Sequence, residues 1–304
     1  MLERGGNLDL VIGPCSITKE NLTDVYRLAD IRITNLKGEK QAALWGTRMV
    51  GLKSRTELNP TGQGMGIDYD AVMENILILS QVGCAQDFKT PPSVTMASEV
   101  IKETGLMVGA EIMEPLVQMP IYEKIIPNKR LLAWSPSVQQ LGWPIIPMAA
   151  AVSRHDWQLG IKNGKWKEME KTWLGLASYA FNSGLDQSKI ILIHRGIDIP
   201  EKGDYRNLPV HDVSRHARRT LEKVKIYFDP SHTCGPKLRE QIVEETILAM
   251  LMKEGNRWLY DGALIEAGNS STDTNQHLTI GEVQYLAQEL AKYRNLNCPE
   301  KYEK

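Results

Sequence analysis

The sequence predicts an α/β fold, a single (β/α)8 TIM barrel over residues 1–304, and three observations predict it. The length of 304 residues suits one barrel of ordinary size without a linker. Short β-rich runs alternate with helical patterns from end to end. Each run also stops at polar or glycine residues, and such barrels gather their functional loops at that edge.

The first run, Leu8 to Ile12, ends at Gly13-Pro14-Cys15-Ser16. The second, Arg48 to Leu52, ends at Lys53-Ser54-Arg55-Thr56, and the third, Met107 to Ala110, at Glu111. Arg130 to Trp134 ends at Ser135-Pro136-Ser137, and Trp157 to Ile161 at Lys162-Asn163-Gly164. Lys189 to Ile193 ends at His194-Arg195-Gly196, and Lys225 to Phe228 at Asp229-Pro230-Ser231-His232. Gly262 to Ile265 ends at Glu266. Helical patterns lie between them, among them Asp68 to Gln81, Lys167 to Ser183 and Pro236 to Lys253. No internal repeat, low-complexity tract or domain boundary interrupts the alternation, so no separate regulatory domain is expected.

Hydrophobic residues at 42 % and charged residues at 24 % are enough to fill one large core. A net charge of -1 gives no global field toward nucleic acid or an anionic membrane, so any anion site must be local. The longest apolar stretches, such as Ile247 to Met252, are too short to span a bilayer, and the first residues lack an apolar signal core. A cytoplasmic protein is expected, and a homo-oligomer. The four cysteines form no CxxC pair, which argues against a zinc ribbon and a disulfide framework. Gly62-Gln63-Gly64-Met65-Gly66 is weak evidence for a dinucleotide because it does not follow the first strand. The Pro- and charge-rich segment from Pro200 to Pro209 is expected to be a mobile flap over the mouth.

Laid out in order, the strand ends resemble those of the class I 3-deoxy-D-arabino-heptulosonate 7-phosphate synthases. More broadly, they resemble the superfamily these form with 3-deoxy-D-manno-octulosonate 8-phosphate synthase. Gly13 to Ser16 is similar to the family's GPCS, and Lys53 to Thr56 to its KPRT, with Ser54 in place of proline. Lys162 to Gly164 is similar to KNG, Arg195-Gly196 to RGG, and Asp229 to His232 to DPSH, while Glu266 stands at the strand-8 metal glutamate. Each motif is common alone; their order along successive strands is the specific signal.

The resemblance implies a transferase that condenses phosphoenolpyruvate with an aldose phosphate, erythrose 4-phosphate by preference. Phosphoenolpyruvate is a weak carbon nucleophile, so the aldehyde needs polarising, and a divalent Lewis acid can do that. Cys15, His232 and Glu266 offer a thiolate, an imidazole and a carboxylate, a set suited to manganese, iron, zinc or cobalt. The family's fourth ligand is an aspartate, for which Asp273 is the nearby candidate and His277 a substitute. Lys162 and Arg195 would hold phosphoenolpyruvate, and Arg55 with Thr56 the aldose phosphate. Lys53, beside the reacting end, would relay a proton, with His232 and Asp229 completing the catalytic group.

Two departures stand out. Where the family carries a GAR segment whose arginine grips the phosphoenolpyruvate phosphate, this chain reads Trp134 to Gln140 without a cation. Its loss would cost roughly 2–5 kcal/mol unless Arg130, Arg154 or another residue compensates. The family's second RGG glycine is Ile197, which narrows the mouth. With fourteen residues before Cys15, no regulatory extension and no control by aromatic amino acids are expected. A related synthase using another aldose phosphate, and a non-catalytic barrel binding metal and a phosphometabolite, are the competing expectations. Cys84, Cys234 and Cys298 are read as structural, Glu111 as either a partner of the site or a strand end, and His155, His211 and His216 as part of a solvated face.

Overall fold

A computed structural model describes residues 5–53, 66–164, 169–270 and 274–299. Eight parallel strands close into a barrel: β1 (Asn7–Gly13), β2 (Gly46–Arg48), β3 (Met107–Glu111), β4 (Leu131–Ser135), β5 (Gln158–Lys162), β6 (Ile190–His194), β7 (Lys225–Phe228) and β8 (Gly262–Glu266). Each pairs with its neighbour in sequence, and β8 returns to β1 in a register running from Asp9 opposite Gly262 to Gly13 opposite Glu266. Helices on the outside, including Tyr69–Val82, Met169–Asn182 and Ile242–Met250, connect the strands. No helix among the described residues is long and apolar enough to cross a membrane.

The strands are buried on both faces, so their sequences are almost continuously apolar. Leu10, Ile12, Leu131, Ile190 and Leu192 point outward into the layer under the helices. Val11, Leu132, Trp134, Ile191, Ile193, Tyr227 and Leu264 form a second cluster inside the barrel. That alternation is the two-residue period of a strand. The largest interior side chain is Trp134, and glycines on both neighbouring strands make room for it. A Cβ at Gly109 would lie 2.6 Å from Trp134 Cζ3, and one at Gly160 would lie 2.6 Å from Trp134 Cβ. Gly109→Ala and Gly160→Ala should each lower stability by about 1–3 kcal/mol through overpacking. Gly175→Ala, in a helix with open space around it, should not. Denaturant midpoints of the three variants test this.

Two features differ from the sequence expectation. The second strand is Gly46–Arg48 rather than Arg48 to Leu52, which moves Arg48 from the start of a strand to its C-terminal end. Between the first helix and β2 an antiparallel hairpin, Arg32–Thr34 with Lys40–Ala42, covers the flank.

Candidate active site

Strand parity decides which side chains reach the mouth. Counting in twos from the interior residues Val11, Met107, Leu132, Tyr227 and Leu264 leads to Cys15, Glu111, Trp134, Asp229 and Glu266. Arg48 and Lys162, last residues of β2 and β5, join them over the Trp134 ring, 5.7 and 5.2 Å from its centroid.

Glu266, 0 % exposed, is the hub. Its Oε1 accepts a hydrogen bond from Arg48 Nη2 at 2.9 Å, and its Oε2 one from Gln276 Nε2 at 2.5 Å. Two imidazoles flank it: His232 Nε2 lies 3.8 Å from Oε1 and His277 Nε2 3.8 Å from Oε2. Burial alone would raise this carboxyl, but His232, Arg48, Lys53 and His277 around it hold it well below the usual range.

Cys15, Glu266 and His277 present ligand atoms that all lie within 4.8 Å of one another and could hold a metal ion. The donors fit one. Ligands about 2.0–2.3 Å from a tetrahedral ion stand about 3.3–3.8 Å apart, the spacing found between Glu266 and His277. His277 Nδ1 faces the Gly268 carbonyl at 2.8 Å, and a carbonyl only accepts, so Nδ1 carries the proton and Nε2 offers its lone pair. Among the described residues that Nε2 is buried without a hydrogen-bond partner, as a ligating nitrogen would be before the ion binds. Burial outweighs Glu266 in lowering the His277 pKa, which favours the neutral, ligating form.

His232 approaches Glu266 but does not belong to that mutually close set. Its Nδ1 is 3.0 and 2.8 Å from the two oxygens of Asp229, whose side chain also accepts from the His232 backbone N–H. Burial lowers the His232 pKa despite Asp229 and Glu266 beside it, and because Nδ1 faces a carboxylate, which only accepts, Nε2 is the nitrogen that offers a lone pair in the neutral ring. Asp273 lies outside the described residues, as do Arg55 and Thr56.

The expected cations that are described do converge. Lys53 Nζ is 3.0 Å from Cys15 Sγ, a contact suited to the thiolate that ligates metal. Lys162 Nζ is 3.2 Å from Glu111 Oε2, which also accepts from Trp134 Nε1 at 3.1 Å. Burial would raise the Glu111 carboxyl, but Lys162 and Lys53 bring it down to about 2. Glu111 is thus both the last residue of β3 and a partner of Lys162 and Trp134. Arg195, 5 % exposed, donates to Ser137 Oγ, and its backbone N–H is held by Asn163 Oδ1 at 2.7 Å.

The suggested substitutes for the absent fourth-strand cation stand elsewhere: Arg130 donates to the Gly105 carbonyl and Arg154 pairs with Glu123. Arg48, which sequence reasoning passed over, is in the mouth and 1 % exposed. Arg48 Nη1 and Arg195 Nε are both buried donors without a hydrogen-bond partner among the described residues. Buried N–H groups are rarely left unpaired, and two guanidiniums left so in one mouth are a cradle for an anion. Cys234 is buried and its thiol pushed up to about 12, chiefly by burial, which makes it inert.

No protein-family model and no curated protein matches the chain. Fold and site together define a (β/α)8 barrel whose C-terminal mouth carries a buried Cys/Glu/His cluster able to hold a metal ion, ringed by buried cations.

Proposed function

We propose that the protein condenses phosphoenolpyruvate with erythrose 4-phosphate to give 3-deoxy-D-arabino-heptulosonate 7-phosphate and phosphate. The observation that carries the reading is the pair of guanidinium donors, on Arg48 and Arg195, that lack a partner among the described residues and stand in the same mouth as the Cys15/Glu266/His277 cluster. Both substrates are anionic, and among the described residues the mouth cations Arg48, Lys53, Lys162 and Arg195 outnumber the carboxylates Glu111, Asp229 and Glu266.

Cys15, Glu266 and His277 would hold a divalent ion of the manganese, iron, zinc or cobalt group; when bound, it supplies Lewis-acid polarisation of the aldehyde. Arg48 and Arg195 bind the phosphate and carboxylate of phosphoenolpyruvate, and Arg48 takes up the work of the absent fourth-strand arginine. Lys162, locked by Glu111 and Trp134, is the third fixed cation. Lys53 Nζ hands a proton to the aldehyde oxygen as the aldehyde carbon bonds to the methylene carbon, C3, of phosphoenolpyruvate. His232 Nε2, with Nδ1 steadied by Asp229, takes a proton from the water that adds at C2, the carbon bearing the phosphate ester. Cleavage of the C–O bond then releases phosphate.

The test is phosphate release by purified protein given manganese, phosphoenolpyruvate and one aldose phosphate. Release with erythrose 4-phosphate is expected. Release with arabinose 5-phosphate instead would move the protein to the octulosonate-type reaction. No release with any aldose, while metal still binds, would replace catalysis with binding of a phosphometabolite.

A further inference from the structure

Gln276 was not singled out by its sequence, yet its side chain is 1 % exposed and used at both ends. Its Nε2 donates to Glu266 Oε2 at 2.5 Å, and its Oε1 accepts from Arg206 Nη1 at 2.7 Å. A guanidinium can only donate, so Arg206 requires the amide oxygen to face it and thereby turns the NH2 toward Glu266. Without Arg206 the amide is free to reverse, which sets its oxygen against a carboxylate oxygen. With Arg48 on Oε1 and Gln276 on Oε2, the plane of the Glu266 carboxylate is fixed from both sides.

Arg206 comes from the segment expected to be a free flap. That segment is instead stitched to the stretch that carries His232. Ile197 and Leu208 close it with a reciprocal pair of backbone bonds at 2.9 and 2.8 Å. The Arg206 and Asn207 N–H groups donate to the carbonyls of Cys234 and Thr233 at 3.3 and 3.1 Å, and Asn207 Nδ2 to that of His232 at 2.5 Å. Gly235 (φ 66°) leaves room for the Arg206 stem, since a Cβ there would come within 2.5 Å of Arg206 Cβ.

We propose that Gln276, oriented by Arg206, is the positioning residue that sets Glu266 for the metal, so that the loop after β6 is coupled to the metal site. The proposal rests on the metal half of the function above and not on the reaction. Partners that orient a ligating side chain typically change metal affinity 10–100-fold when removed.

The test is a cobalt(II) titration of metal-free protein without substrates, read as affinity against a competing chelator and as thiolate-to-cobalt absorption. Gln276→Leu should bind cobalt about 10–100-fold more weakly with a changed spectrum, and Arg206→Ala about 10-fold more weakly. Arg206→Lys, still a donor facing Oε1, should stay within about threefold of the parent. Should Gln276→Leu fail to fold, the Arg206→Ala and Arg206→Lys pair on the half-buried loop decides. Parental affinity and spectrum in Arg206→Ala and Gln276→Leu would overturn the proposal, as would equal losses in Arg206→Ala and Arg206→Lys. A parent protein that takes up no cobalt would overturn the metal reading itself, which separates the two failures.

Discussion

Arg48→Met should destabilise the metal-free protein by about 3 kcal/mol at neutral pH, because it strands the carboxylate of Glu266 in the barrel interior. Both partners are essentially unexposed and 2.9 Å apart. Breaking such a pair typically costs about 3–5 kcal/mol, and the lower figure applies because Gln276, His232 and His277 still face the carboxylate. Removing both charges should cost less than removing one. In a double-mutant cycle, Arg48→Met combined with Glu266→Gln should recover part of the loss, read from denaturant midpoints. An unchanged midpoint in Arg48→Met would refute the pair as a structural contact. The same variant should bind phosphoenolpyruvate at least about 30-fold more weakly, since a charge-assisted contact contributes about 2 kcal/mol or more.

Arg48 also shows where the sequence is hard to read. The apolar stretch from Met49 to Leu52 looks more β-like than Gly46-Thr47-Arg48, so the strand is expected too late and Arg48 falls at its buried start. In the structure the ladder stops at Arg48, while the Met49 N–H still reaches the Gly109 carbonyl at 2.7 Å. The other seven strands are legible because fully buried parallel strands are short apolar runs ending in polar clusters. Cys15, Asp229 and Glu266 are legible for the same reason: each sits at the exit of such a run. His277 is named only through the resemblance, as a substitute for the family's aspartate, and Gln276 not at all, because both come from a polar stretch of no period after β8. They reach Glu266 because the chain folds back there, with the Leu278 N–H on the Glu266 carbonyl and the Gly268 N–H on the Leu278 carbonyl, each at 2.9 Å. Nothing local announces that return. His211 is different, because its signal was present and misread. It shares a helix face with Ser214 and Arg218, both buried, so a solvated histidine was the wrong expectation for that spacing.

That misread histidine makes stability fall in acid. His194 and His211 stack at 5.9 Å behind the barrel wall, with Phe228 and Tyr260 packed on both. His194 Nδ1 is 2.8 Å from Ser214 Oγ, and His211 Nδ1 is 2.7 Å from the Tyr260 hydroxyl. Burial, then the neighbouring His211, pushes His194 down to about 3; burial, then Arg215, pushes His211 down to about 4. Both lie below the ordinary value of 6.5, so as pH falls the unfolded chain takes up protons first. The stabilisation is complete above about pH 6.5 and is lost progressively down to about pH 4 for His211 and about pH 3 for His194. At pH 5 each ring accounts for about 2 kcal/mol, because about 1.5 units at 1.36 kcal/mol separate pH 5 from the unfolded value. That figure holds for any folded pKa well below 5. Glu111, whose stabilisation is lost only as pH falls below its ordinary 4.5, does not act in this window. Unfolding free energy should therefore drop by about 2–4 kcal/mol between pH 7 and pH 5. His194→Asn keeps an acceptor for Ser214 but cannot titrate, so it should reduce that slope by the share of His194, with His211, His232 and His277 still titrating, while lowering stability at pH 7. A slope unchanged in the variant would rule out His194 as the group being protonated.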